Sequence, residues 1–176
     1  IPDDAYLEQA DDTSIAALNA AAERLSGLGV EVQRVSVFDD IEEINAAHQS
    51  LLAYEFADVH KFWIDEFRDL YHPRSIELAE RGAAIDPDVV HRGRNGRVSL
   101  RHRLDSTLRR HGASLWIAPA TVGEAPMGLD TTGNPVMNLP WTHAGAPTVG
   151  LPLFRIPHGV GPAGLPLGLQ IAGEYD

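Results

Sequence analysis

The feature that most constrains the fold is a change in composition at Gly112. From this residue onward the chain contains nine of its twelve prolines and eleven of its sixteen glycines, and few charged side chains. Short apolar runs such as Leu115-Trp116-Ile117 and Leu169-Gln170-Ile171 lie between them. Strands that are covered on both faces have continuous apolar sequences, so this pattern predicts buried strands joined by tight loops. A flexible tail rich in proline and glycine is the alternative, but such tails seldom contain runs of this kind.

The part before residue 114 has mainly the period of helices. Apolar residues recur three and four positions apart in four stretches, which predicts helices over 12–27, 39–63, 75–81 and 87–108. The valine-rich run Val30 to Val37 predicts one strand in this part.

From residue 114 the predicted elements are three strands and a short helix. The strands are expected over 114–118, 147–153 and 165–172, and a long loop over 119–133. Asn134-Pro135 is expected to open the short helix, and Pro140 to end it. The fold class is therefore α/β: part of a mixed β-sheet with covering helices, in a single unit over residues 1–176. Residues 1–113 are mostly helical with one strand, and residues 114–176 supply sheet strands and a substrate-side loop.

The charge is unevenly distributed along the chain. Residues 1–90 contain twenty acidic and six basic side chains, residues 91–176 five acidic and eight basic, and the net charge is −11. A general affinity for nucleic acid is therefore not expected. Seven basic residues between Arg92 and Arg110 suggest phosphate binding as one interpretation. A solvated helix face that pairs with the acidic part is favoured, because a single-strand nucleic-acid site also needs interleaved aromatic residues.

Several kinds of chemistry are not supported by the residues present. The chain has no cysteine, which excludes disulfides, thiolate catalysis and zinc-thiolate sites. No two histidines stand four residues apart, no serine lies in a Gly-x-Ser-x-Gly motif, and neither a metal nor a cofactor is expected. The glycines of Gly159 to Gly164 match a dinucleotide fingerprint, but a strand is expected to follow them where that fingerprint needs a helix. No apolar run approaches eighteen residues and no signal peptide opens the chain, so a cytoplasmic location is expected.

The most informative segment is residues 131–147. Asn134, Asn138, Thr142 and His143 stand there among glycines and prolines that restrict the backbone. Neutral donors on a stiff loop beside a sheet suit the orientation of a polar, uncharged ligand such as an amide. The asparagines equally suit a purely structural task, the satisfaction of loop backbone at turns and caps. The residues alone leave both interpretations open.

The same segment, with its neighbours, resembles a known family. Residues 116–120, 131–152 and 164–173 closely resemble the carboxy-terminal part of the amidase signature family. Ala20 to Val37 is similar to a helix and strand of that family, and the helical middle, including Tyr54-Glu55, fits its variable insertion. The last third is the specific part of the resemblance.

The resemblance implies an amidase that is incomplete in this sequence. Family members hydrolyse an amide to an acid and ammonia or an amine, with a serine nucleophile, a second serine on a cis peptide and a lysine base. A glycine-rich loop forms their oxyanion hole. These elements lie in the amino-terminal part of the family, and no matching Gly-Gly-Ser-Ser-Gly-Gly stretch occurs here. No catalytic residue is therefore assigned, and the chain alone is predicted to be inactive.

The resemblance places one wall of the substrate pocket on Asn138, Trp141, Thr142 and His143. Trp141 is expected to offer an apolar face to the acyl group, and Asn138 and Thr142 to orient polar atoms or stiffen the loop. His143 replaces an apolar residue that is common at this position, which indicates a different acyl pocket. The expected partners are a small-molecule amide and the missing amino-terminal part, with no nucleic acid and no membrane, and a homo-oligomer is left open.

A non-catalytic subunit or interaction module of the same fold is the alternative function. In either case a chain that lacks part of its sheet is expected to expose an unpaired strand edge and an apolar patch.

Overall fold

A computed structural model of the chain describes residues 1–154 and 156–174. The described helices and strands, in chain order, are α1 Asp12–Gly27, α2 Ile41–Phe67, α3 Pro73–Ala83, α4 Pro87–His111, β1 Trp116–Pro119, α5 Leu139–Ala144, β2 Thr148–Pro152 and β3 Gly168–Ala172. Short 3-10 turns cover Leu7–Gln9, Arg68–Leu70 and Pro135–Met137. Two compact units are present: the sheet unit, residues 1–41 with residue 100 onward, and the helical unit, residues 42–99.

The three strands of the sheet unit form one antiparallel sheet in the order β1-β3-β2. Trp116 of β1 and Thr148 of β2 both pair with Ala172 of the central strand. All three strands lie inside or next to the segments that the apolar runs predict, with narrower bounds. The α/β fold class, helices beside a partial sheet, is confirmed.

Helix α1 packs on this sheet through its small apolar face. Ala17, Leu18 and Ala21 are buried in one cluster with Leu153, Leu167 and Leu169. The Asp11 carboxylate accepts a hydrogen bond from the Ser14 amide at 2.7 Å and so caps the helix. Full burial of one leucine such as Leu18 contributes about 1.5–3 kcal/mol, so this face ties the helix to the sheet.

The prediction of a strand over Val30 to Val37 is wrong for this chain. These residues are extended, but their ladder consists of one parallel bridge, between Pro2 and Val35. The pairing does not continue after Asp3, because the chain bends at Asp4 and leads into the 3-10 turn Leu7–Gln9. Further on, the Asp4 carboxylate replaces a strand partner and accepts hydrogen bonds from the Val37 and Phe38 amides at 2.6 and 2.8 Å.

The prediction that Pro140 ends the short helix is also wrong. Residues 135–137 form a 3-10 turn, and α5 begins immediately after it, with Pro140 in its first turn. Proline is tolerated there because the first amides of a helix have no intrahelical acceptor. The helix ends instead at Gly145, whose φ of 69° is a left-handed cap that glycine adopts without strain.

The arginines between Arg92 and Arg110 form ion pairs inside each unit. In the helical unit, Arg94 and Arg97 approach the Glu55 carboxylate to 3.7 and 3.9 Å. In the sheet unit, Arg103 lies 2.9 Å from Asp40. These contacts agree with the interpretation that the basic segment pairs with acidic residues from earlier in the chain. The side chains are partly exposed, so each pair contributes little to stability.

No helix within residues 1–154 and 156–174 combines the length and the apolarity needed to cross a bilayer. In the same range no three histidine, cysteine, aspartate or glutamate side chains are grouped closely enough to hold a metal ion.

The packing of α3 on α2 in the helical unit gives a prediction for Gly82. A Cβ atom at Gly82 would lie within 2 Å of the Ala53 carbonyl oxygen, which is backbone and cannot rotate away. We expect Gly82→Ala to lower the free energy of unfolding by about 1–3 kcal/mol, because the two helices must separate.

Urea unfolding followed by circular dichroism measures this effect. Gly27→Ala is the matched control, since nothing lies within 4 Å of a Cβ there and α1 should be unchanged or slightly stabilised. Equal stability of the Gly82 variant and the unchanged chain would show that the helices do not approach in this way.

Candidate functional site

A cavity of about 490 Å³ lies beside β2 and β3 in the sheet unit. Its wall is formed by loop residues 120–126 and 132–134 and by strand and turn residues 150–152 and 166–169. The volume is in the range of small-molecule sites in proteins. Polar side chains of the wall are those of Thr121, Glu124, Thr132 and Asn134.

One side of the cavity is the open strand β2. It is an edge strand of the described sheet, and all five of its residues are exposed. Val149 keeps 61% of its surface in contact with solvent and Leu151 keeps 42%. An edge of this kind presents unpaired backbone groups together with apolar side chains, which is a surface on which another strand can pair.

The loop over residues 120–126, by contrast, is held on several sides. The Ala120 amide donates to the Gly168 carbonyl at 2.9 Å, and the Ala120 carbonyl accepts from Asn138 Nδ2 at 3.0 Å. The Asp11 amide donates to the Val122 carbonyl at 2.7 Å. The loop is therefore a preorganised wall.

Glu124 connects this loop to the turn between β2 and β3. Its two carboxylate oxygens accept hydrogen bonds from the amides of Ala163 and Leu165, each at 2.9 Å. Gly161 allows this approach, because a Cβ there would overlap the Glu124 side chain. The carboxylate thus fixes the turn 161–165 to the cavity wall.

A buried hydrogen-bond network centred on Tyr6 lies behind the wall. The Tyr6 hydroxyl donates to the Met137 carbonyl at 2.9 Å and accepts from Trp141 Nε1 at 3.0 Å. Gln170 Nε2 lies 3.1 Å from the same hydroxyl and donates to the carbonyls of Pro119 and Met137 at 2.7 and 2.6 Å. Burial raises the pKa of the Tyr6 phenol well above its usual range, so the hydroxyl stays neutral and remains a donor.

Of the four residues that the sequence predicts as the pocket wall, two contact the cavity wall or the network behind it: Asn138 and Trp141. Trp141 is 1% exposed, and its ring packs edge-on against the rings of Tyr6 and Phe38. His143 is also buried, whereas Thr142 is exposed and Asn138 is half-buried and bonded to Ala120. Helix α5 and its first cap hold all four close together.

None of the four is among the residues that line the cavity in the described part of the chain. Their direct contact with a ligand therefore stays a prediction. The residues that sequence reasoning missed are Tyr6, Gln170 and Glu124. Two signals were available: Gln170 is a polar residue inside an apolar strand, and Glu124 is one of four acidic residues after Gly112.

The cavity can orient a polar ligand through the polar groups of its wall. Hydroxyl groups of threonine, the Asn134 amide and exposed backbone groups at its wall can donate or accept hydrogen bonds. Among its described lining residues there is no serine, lysine or histidine.

Solved structures match this chain over nearly its whole length. An amidase superposes with a TM-score of 0.81 and 26% identity, over 97% of this chain and 40% of the other. A protein from a vestigial complex related to the origins of an s-triazine catabolic enzyme superposes with a TM-score of 0.78 and 22% identity, over 96% of this chain and 37% of the other. A bacterial aryl acylamidase of the amidase signature family superposes with a TM-score of 0.72 and 16% identity, over 94% of this chain and 37% of the other.

The chain has part of the amidase signature fold. It spans 27% to 40% of the length of the solved structures that it matches, as expected for a carboxy-terminal portion. The resemblance inferred from residues 114–173 is therefore confirmed at the level of fold. No family model and no curated protein matches the sequence.

In this amidase signature fold, the Tyr6 network predicts that a small substitution has a large effect on stability. Tyr6→Phe removes one oxygen and leaves Trp141 Nε1 without an acceptor in a buried place. We expect a loss of about 1–3 kcal/mol in the free energy of unfolding of the sheet unit.

Chemical denaturation followed by tryptophan fluorescence measures this loss, because Trp141 reports on the network. Tyr71→Phe is the control: its hydroxyl bonds His60 at 2.8 Å in a partly exposed place and should cost less than about 1 kcal/mol. The role given to Tyr6 would be refuted by equal effects of the two variants.

Glu124 gives a second prediction, which concerns local order. Glu124→Ala should increase the hydrogen-exchange rates of the Ala163 and Leu165 amides by about tenfold or more, because both lose their acceptor. Glu124→Gln keeps one acceptor oxygen and should have an intermediate effect.

Exchange measured residue by residue by NMR tests this prediction, with Glu8→Ala as the control at an exposed acid. Unchanged exchange at both amides in Glu124→Ala would mean that the carboxylate does not hold the turn.

Proposed function

We propose that this chain is the carboxy-terminal portion of an amidase that hydrolyses a carboxylic amide to an acid and ammonia or an amine. The observation that carries the proposal is the preorganised cavity wall beside an unpaired edge strand, in a fold shared with amide-hydrolysing proteins. Solved structures of the same fold include an amidase, an aryl acylamidase and a 6-aminohexanoate cyclic dimer hydrolase.

In this proposal the chain supplies sheet core and one wall of the substrate pocket. The loop 120–126, fixed by Asp11 and Glu124, forms the rigid part of that wall, and polar groups at Thr121 and Asn134 orient the amide. Asn138, Trp141, Thr142 and His143 are the predicted substrate-side residues. The hydrogen bonds argue that these residues contribute by supporting the loop, through Asn138 and through the Tyr6 network.

The reactive groups are proposed to come from the missing amino-terminal part of the protein. A serine hydroxyl attacks the amide carbon while a base takes its proton, and the C–N bond breaks as the leaving nitrogen is protonated. Water then hydrolyses the acyl-enzyme to the acid. The residues described here would bind and orient the substrate through these steps. Proximity of this kind lowers the barrier because reacting atoms are already placed.

The proposal predicts that the purified chain alone does not hydrolyse amides. Release of ammonia or amine from a linear aliphatic amide and from an aryl acylamide should equal the buffer rate, and the full-length protein should show turnover. Substitution of Leu151 by Asp in the full-length protein should reduce that turnover, because a charge on β2 opposes strand pairing.

Serine-to-alanine variants of this chain are the controls. Turnover by the chain alone that one of these variants abolishes would refute the proposal, since the nucleophile would then lie within these residues.

A non-catalytic interaction module is the second candidate, and the exposed β2 edge favours it as well. Both candidates predict self-association or partner binding through Val149 and Leu151. Inactivity of the full-length protein with stable partner binding would favour the module. The partners of the first candidate are a small-molecule amide and the missing amino-terminal part. A cytoplasmic location stays a prediction from the sequence.

A further inference from the structure

Helix α2 of the helical unit has apolar residues on two sides. Its inner side is buried: Ile64 is 7% exposed, and the backbone of Ala53 lies against Gly82 of α3. On the other side, six large apolar side chains of α2 and the turn after it are exposed: Leu52, Val59, Phe62, Trp63, Phe67 and Leu70. We call these six residues the outer stripe.

The spacing of the outer stripe places its members along one side of the helix. Leu52, Val59 and Trp63 are separated by seven and four residues, and residues with these separations are neighbours on a helix surface. At a rise of 1.5 Å per residue, positions 52 to 70 extend over about 27 Å. Single exposed apolar side chains are ordinary, but a continuous stripe of this length indicates a binding surface.

Two aromatic contacts fix the Trp63 ring within this stripe. The ring lies edge-on to His60, with the centroids 5.3 Å apart, and His60 stacks on Phe56 at 4.1 Å. His60 Nδ1 lies 2.8 Å from the Tyr71 hydroxyl. More than half of the Trp63 surface is nevertheless exposed. An aromatic ring that is held on one side and open on the other loses little conformational freedom on binding, and tryptophan often dominates the binding energy of interfaces.

Acidic side chains surround Phe62, the most exposed ring of the stripe. Asp58, Asp65 and Glu66 stand four residues before it, three after it and four after it, so all three are its neighbours on the helix surface. Asp58 pairs with the Lys61 ammonium at 3.0 Å. In the part of the chain that the structure describes, Asp65 and Glu66 form no ion pair. The border of the stripe therefore has uncompensated negative charge.

The Phe62 ring already accepts a cation from within the chain. The Lys61 ammonium lies 5.2 Å from the centroid of this ring. Aromatic faces attract ammonium and guanidinium groups. The exposed remainder of the ring, beside two unpaired carboxylates, suits a further lysine or arginine. Its aliphatic stem would pack on Phe62 while its charged end approaches Asp65 or Glu66.

We propose that the outer stripe binds a basic amphipathic helix of another polypeptide. The apolar side of this helix packs along the stripe, and its lysines or arginines reach the acidic border beside Phe62. A second copy of this chain would bring the same acids to that border, and like charges oppose such a pairing. Nucleic acid and anionic lipid are disfavoured for the same reason. The surface is separate from the β2 edge, and the inference does not rest on amide hydrolysis.

Titration with a designed peptide tests the proposal. The probe is a helical peptide of about 18 residues, with leucine on one side and lysine on the other. The chain is labelled with fluorotryptophan, and fluorine NMR follows its three tryptophans, with Trp63→Phe to assign one resonance. We expect a saturable shift of the Trp63 resonance and none at the buried Trp116 and Trp141. The affinity should fall as salt is added, because charges attract across the interface.

Variants at exposed positions locate the interface. Phe62→Ala should weaken peptide binding by about tenfold, and so should Asp65→Asn combined with Glu66→Gln, because either change removes one half of the cation site. Leu28→Ala is the matched control: Leu28 is 71% exposed in the sheet unit, outside the stripe, and its loss should leave the affinity unchanged. Circular dichroism confirms that each variant is folded. An unchanged affinity of folded Phe62→Ala overturns the proposal.

Control peptides separate the proposed occupant from others. A peptide with glutamate in place of lysine, and one with the same leucines and lysines in scrambled order, should both leave the Trp63 resonance unshifted. Equal binding of either peptide overturns the proposal, as does failure of the probe to bind. A Trp63 shift that rises with chain concentration in the absence of peptide overturns it and identifies a second copy as the occupant. The same titration of the full-length protein should also shift Trp63; its failure there overturns the proposal and identifies the rest of that protein as the cover.

Discussion

The hydrogen bonds of the Tyr6 hydroxyl are the constraint on which the rest of the sheet unit depends. They join parts of the chain that lie 131 to 164 residues apart in sequence: the first turn, the 3-10 turn before α5, Trp141 and the central strand. Each group is buried, and a buried donor or acceptor left without a partner costs about 1–3 kcal/mol. The packing of Tyr6, Phe38 and Trp141 around this hydroxyl therefore allows one arrangement of the four segments.

The same network determines where the cavity is stiff. Gln170 bonds the carbonyl of Pro119, and the cavity wall begins at the next residue, Ala120. Ala120 is then held by Gly168 and Asn138, so the loop leaves the core in a fixed direction. The opposite side, strand β2, is paired with β3 on one edge only and exposes apolar side chains. The cavity therefore has one rigid wall and one open edge.

The sequence predicts those elements whose signals are local. Helix α1 follows from its apolar period, although its cap is Asp11 and not Asp12 or Thr13 as the sequence suggests, and the three sheet strands follow from apolar runs between turns. Elements that depend on distant partners could not be predicted in this way. The segment Val30 to Val37 has residues that suit a strand, but its partner bends away at Asp4, and the proline of α5 is compatible with a first turn as well as with a stop. The burial of Trp141 follows from Tyr6, which lies 135 residues away, and no local pattern indicates this contact.

The order β1-β3-β2 leaves both outer strands of the described sheet with an unpaired edge. Water satisfies these backbone groups while they are exposed, so an open edge is tolerated, but the apolar side chains beside it are not. A strand added beside β2 would bury Val149 and Leu151. Solved structures of this fold are about two and a half times as long as this chain, by the 40% coverage. A strand added at an open edge would require no rearrangement of the core around Tyr6.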